Sequence, residues 1–153
     1  MTPTQEKAIL GFIVLAAFVL RALFIGHESL WPDEALYLYI SKNLTIDPLA
    51  LKDVHGEWFY QNPPLFMYLL SFFMRTDILQ PHVLAHFLTV AMDTGIVLIS
   101  FFIGKKLFGT TVGLISAALL TVNPLHWCTS SRILMDIPLT FLVHPANAGV
   151  TIK

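Results

Sequence analysis

Three long apolar runs limit what this chain can fold into. Ala8 to Ile25 is interrupted by only one charge, Arg21; Val83 to Ile103 holds His86 and Asp93, and Thr110 to Trp127 holds no Asp, Glu, Lys or Arg. Helices over these runs rise by about 27 Å or more, close to the roughly 30 Å hydrocarbon thickness of a bilayer. Composition points the same way. Apolar residues make up 56% of the 153-residue chain and charged residues 12%, with a mean hydropathy of +0.70. A soluble fold of this make-up would expose more apolar surface than water tolerates. The expectation is an all-α integral membrane protein with three transmembrane helices near 8–25, 83–103 and 110–127. The first run reads as an uncleaved span, because Glu6 offsets Lys7 and no small-x-small cleavage site follows. Arg21, near its far end, is expected to snorkel to the interface.

Gly104-Lys105-Lys106-Leu107-Phe108-Gly109 reads as a tight turn between the second and third spans, and its two lysines belong on the cytoplasmic side. Two spans separate Lys7 and the N-terminus from that turn, so they fall on the same side. Residues 26–82 then form one long extracytoplasmic loop, and Ser130 to Asp136 lies outside as well. Gly109 and Gly113 have the spacing of a close helix contact. The formal net charge of −1 gives no reason to expect a nucleic-acid partner. The single cysteine, Cys128, permits no internal disulfide and reads as a small apolar helix residue.

Seven of the ten acidic residues fall in the long loop: Glu28, Asp33, Glu34, Asp47, Asp53, Glu57 and Asp77. Leu30-Trp31-Pro32-Asp33-Glu34 predicts a helix start, with Asp33 as cap. The helix that follows repeats Leu36, Ile40 and Leu44 on one face and is expected to lie in the membrane interface. Pro64 to Met74 is apolar but covers only about 16 Å as a helix, so an in-plane or re-entrant helix is expected.

The order of these features resembles the GT-C superfamily of glycosyltransferases, in its protein O-mannosyltransferase and aminoarabinose-transferase branch. The features are an extracytoplasmic Asp33-Glu34 opening a helix, Pro63-Pro64-Leu65, the Gly104–Gly109 segment, Asn123-Pro124, and Ser131-Arg132 leading to Asp136-Ile137-Pro138-Leu139. The similarity runs from about Leu20 to Phe141, the N-terminal third or less of such an enzyme. It implies transfer of a sugar, with inversion, from a polyprenyl- or dolichyl-phosphate carrier to a protein or glycolipid acceptor outside the cytoplasm. The membrane would be that of the endoplasmic reticulum or the plasma membrane of a prokaryote. Asp33, with Glu34 beside it, matches the catalytic acid of the first loop, and Asp136 that of the second. Arg132 matches an arginine suited to the leaving phosphate. Asn62 stands where relatives have histidine before Pro-Pro-Leu, and His86 is the nearest match to an arginine that opens the second span. Some relatives use a divalent metal ion. His82 and His86, with Asp33 or Glu34, are the residues that would hold one here, although ordinary hydrogen bonding of the histidines is the favoured reading.

Asp93 lies mid-span, where a carboxylate is expected to be protonated or paired with a span outside this chain; an ion path is the competing reading. His27, His55, His126 and His144 show no convergent spacing. Asn43-Leu44-Thr45 forms a glycosylation sequon within the expected helix. After Val143 the composition turns polar, with Pro145 as a breaker, so residues 144–153 read as a tail left by truncation or a frameshift. On that reading the chain is an incomplete or inactive transferase portion over residues 1–143. The alternative from another class is a non-catalytic three-span subunit or scaffold.

Overall fold

The computed structural model describes residues 2–25, 29–75 and 80–150, without the side chains of residues 81 and 144–150. Glu28 and Asp77 of the acidic loop, His27, and residues 151–153 of the tail lie outside the described residues. Among the described residues seven helices follow in order: α1 (Pro3–Ala22), α2 (Pro32–Ile46), α3 (Leu65–Met74), α4 (Pro81–Phe108), α5 (Thr110–Val122), α6 (Pro124–Ser130) and α7 (Asp136–Val150). Among the described residues the one extended pairing is an isolated antiparallel bridge between Lys52 and Trp58. The expected all-helical class is observed. Two helices, α1 and the His82–Phe108 part of α4, are long and apolar enough to cross a membrane; α5 with α6 makes a third if that bent pair is one span.

Helix boundaries depart from the apolar runs where capping chemistry acts. α1 begins at Pro3, ahead of its apolar run, because Thr2 and Gln5 form a reciprocal capping box. The Thr2 hydroxyl accepts from the Gln5 N–H at 3.3 Å, and the Gln5 side chain accepts from the Thr2 N–H at 3.0 Å. α4 runs through the expected Gly104–Gly109 turn as far as Phe108, so Lys105 and Lys106 occupy its last helical turn. Cations are favourable there, beside unpaired carbonyls at the negative end of the helix. The reversal is made at Gly109 alone, whose φ of +92° suits glycine.

The third expected span is bent by 60° between α5 and α6. Pro124 has no N–H to continue α5, and Asn123 turns extended at φ −67°, ψ 117°. The Asn123 side chain then caps α6 by accepting from the Leu125 N–H at 2.9 Å. At the C-terminal end the helix does not stop at the expected tail: the α7 backbone stays helical past Pro145 to Val150.

α4 is the hub, packed by α1, α3, α5, α6 and α7. Its contact with α5 is close because two glycines meet. A Cβ on Gly104 would stand 2.9 Å from the Gly113 Cα, and one on Gly113 would stand 2.6 Å from the Phe101 carbonyl oxygen. Gly113 therefore makes the close helix contact anticipated from its spacing, against Gly104 of α4, whereas a Cβ on Gly109 would meet nothing within 4 Å. Ala17, Val97, Phe101, Leu114 and Ala117 form the apolar core at this crossing.

A second core joins α2, α3 and the segment after α6. Tyr37, Ile40 and Leu44 of α2 pack with Phe66, Met67 and Leu70 of α3, and with Ala85, Ile133 and Met135. The α2 face expected to meet lipid is thus largely spent on protein: Ile40 and Leu44 are buried, and Leu36 packs beside them. The sequon falls inside α2 with Leu44 in this core.

Candidate functional site

The site grows from the first turn of α2. Trp31 is the N-cap residue and Pro32 the first helical residue. The capping role expected of Asp33 is taken by Glu34, whose Oε2 accepts from the Trp31 N–H at 2.7 Å. Its other oxygen, Oε1, accepts from the Ile133 N–H at 2.6 Å. Glu34 is 1% exposed, and its buried charge is stabilised by two backbone donors and the positive end of α2. It latches the start of α2 to the segment between α6 and α7. That latch brings residues about a hundred positions apart in the chain to one end of the bundle.

Around the latch lie the other residues singled out from the sequence. Asp33 and Asp136 are exposed, and neither side chain makes a hydrogen bond or ion pair among the described residues. Both charges act on Tyr37: burial first, then Asp33 and Asp136, push its phenol above the ordinary value of 10.0. The Asn62 amide donates to the Tyr37 hydroxyl at 3.0 Å. The Arg132 guanidinium stacks over the Trp31 ring, 3.9 Å from its centroid, a geometry in which cation and ring attract. His86 is buried below, within reach of the charges of Glu34, His82 and Arg132. Its Nδ1 has no hydrogen-bond partner among the described residues. Asp33, Glu34, Asn62, His86, Arg132 and Asp136 therefore share one neighbourhood, and Tyr37 and Trp31 join it. No group of three or more His, Cys, Asp or Glu suited to a metal ion forms among the described residues.

Sequence reasoning missed a second polar cluster. Arg21 does not snorkel: it is fully buried and paired with Asp93, itself fully buried. Asp93 thus finds its partner within this chain, and its other oxygen lies 3.0 Å from His126 Nδ1. The remaining guanidinium nitrogens reach three carbonyls, Ala17 at 3.1 Å, Leu120 at 3.3 Å and Thr121 at 3.5 Å. The last two belong to the end of α5, where Pro124 leaves carbonyls without helical donors. The Trp127 indole N–H donates to the Leu20 carbonyl at 3.0 Å, and its ring meets Phe24 edge-on. Together these bonds tie α1 to α4, α5 and α6. The signal was present in three places, an arginine late in the first run, an acid mid-way through the second, and Asn-Pro breaking the third. Cys128 is exposed on α6.

The chemistry of the first cluster is that of two exposed carboxylates beside an arginine and hydroxyl and amide donors. Such a set can accept a proton from a hydroxyl and meet an anionic leaving group. No family model, curated protein or solved structure matches this chain.

Proposed function

We propose that this chain is the N-terminal part of a membrane glycosyltransferase that moves a sugar from a polyprenyl- or dolichyl-phosphate carrier to an acceptor hydroxyl. The observation that carries the reading is the Glu34–Ile133 latch, which gathers Asp33, Arg132 and Asp136 from two distant segments. In the reaction, the acceptor oxygen bonds to the anomeric carbon as the bond from that carbon to the phosphate oxygen breaks. Asp33 takes the acceptor proton, and the electron pair leaves on the phosphate beside Arg132. Asp136 orients the sugar hydroxyls.

The proposed sidedness puts Lys7, Lys105 and Lys106 in the cytoplasm and the carboxylates on the far side. It is supported by the Glu6–Lys105 ion pair, which holds the start of α1 to the end of α4. From His86 to Lys105, α4 rises about 28 Å, so the acidic cluster and the lysines occupy opposite ends of the bundle.

The test is sugar transfer from polyprenyl-phosphate mannose and polyprenyl-phosphate aminoarabinose by membranes containing the transferase of which this chain would be the N-terminal part. Asp33→Asn should lower the rate by about 10²- to 10⁴-fold, the usual weight of a positioned base, with the fold retained. Full transfer with both Asp33 and Asp136 neutralised would leave a non-catalytic scaffold as the better reading.

A further inference from the structure

α1 buries little of itself against the rest of the chain, only 6% of its most apolar window. Between α1 and α4 runs an open groove of about 500 Å³, lined among others by Lys7, Gly11, Leu15 and Phe18 of α1 and by Thr94 and Leu98 of α4. Its walls are apolar but for Lys7 and Thr94, and the Thr94 hydroxyl donates to the Val90 carbonyl at 2.8 Å. Gly11 opens the groove, since a Cβ there would meet nothing within 4 Å. The one charged residue on the wall is Lys7, at one end. Glu6 does not neutralise it, because its carboxylate is taken by Lys105, and Lys106 adds a further cation in the same α4 turn.

We propose that this groove binds one acyl chain of an anionic phospholipid, with the headgroup phosphate held at Lys7. From Lys7 to Phe18 the helix rises about 16 Å, which is the depth of one leaflet of a roughly 30 Å core. Length, apolar walls and a cation at only one end fit a lipid standing in the leaflet on the lysine side. The inference rests on α1 and α4 being membrane spans, but not on the sugar chemistry at the other end.

The full chain is expressed in bacterial membranes, washed with alkaline carbonate, extracted in non-ionic detergent and weighed by native mass spectrometry with added phosphatidylglycerol or phosphatidylcholine. One phosphatidylglycerol should be retained in preference to phosphatidylcholine. Lys7→Gln should cut that preference roughly fivefold. Gly11→Leu, which fills the groove and removes a helix-weakening glycine, should release both lipids with helicity undiminished. Unchanged retention in both variants, from protein that resists the carbonate wash, overturns the groove assignment and leaves the spans standing. Release of the chain by carbonate overturns both. A dimer mass in place of the lipid adduct makes a second copy the occupant and overturns the proposal.

Discussion

The two polar clusters use similar residue types to opposite ends. At Arg21–Asp93–His126 the central charges are sealed from solvent, and the guanidinium is engaged by the Asp93 carboxylate and three carbonyls. At the mouth of α2, Glu34 is equally buried and saturated, but Asp33 and Asp136 beside it are exposed. A buried charge whose bonds are all made inside the protein holds elements together and has little left for a substrate. An exposed carboxylate fixed by the backbone of a capped helix keeps its lone pairs for a ligand. The contrast separates charges that hold the architecture from charges left open to solvent.

The largest expected effect tests the buried member of the pair. Asp93→Leu leaves Arg21 buried without its counter-ion and should cost about 3–5 kcal/mol, seen as a lower midpoint of thermal unfolding in detergent. Arg21→Met combined with Asp93→Leu should recover most of that loss. A single Asp93→Leu chain as stable as the parent would show that the pair is dispensable and that the two clusters do not differ as described.

Glu34→Gln tests the point where the two kinds of charge meet. An amide can accept at one oxygen only, so either the Trp31 or the Ile133 N–H loses its partner, at a cost of about 1–3 kcal/mol. Amide hydrogen exchange should quicken at Ile133 and at the first turn of α2, with α1 and α5 unchanged. Exchange quickened equally everywhere would mean that Glu34 supports the whole fold and not a local latch.

Trp31→Leu removes the surface under Arg132 and should cost about 0.5–1 kcal/mol. Its clearer readout is weaker binding of the proposed polyprenyl-phosphate carrier, with unfolding scarcely moved. Equal binding by the parent and the variant would show that Arg132 needs no help from the ring.

The smallest effect is electrostatic. The folded-state pKa of Tyr37 is raised, so the folded protein holds that proton longer than the unfolded chain does. Its contribution to stability is present below about pH 10 and is lost as pH rises through the raised value. Absorbance titration should find one of the four tyrosines ionising after ordinary ones. In Asp33→Asn the lag should shrink but persist, because burial is the larger cause.

Much of this was legible in the residues. Apolar runs announced α1 and α4 because a helix of that length and composition is set by local pattern, and Pro32 announced the start of α2. Charge and span length led to the expectation that Asp33, Arg132 and Asp136 lie on one side of the membrane; their closeness rests on the Glu34–Ile133 bond. The fates of individual side chains were not legible. Glu34 and Asp33 are adjacent in sequence, yet one is a buried latch and the other is exposed. Nothing in their types says which, because the difference lies in where Ile133 comes to rest. The stripe of α2 expected to meet lipid packs on α3 for a related reason: an apolar stripe specifies burial without specifying whether lipid or protein provides it.

From sequence alone, then, came the helical class and the apolar helices of bilayer length, properties of short windows whose physics is local, and the candidate carboxylates, which the resemblance implied. Only the tertiary structure decided that Arg21 turns inward to Asp93, that α5 breaks and offers its carbonyls to that arginine, and that Gly104 is the partner of Gly113. Each is a pairing between segments far apart in the chain. Such pairings follow from the packing that leaves the fewest buried charges and carbonyls unpaired, and no local periodicity records them.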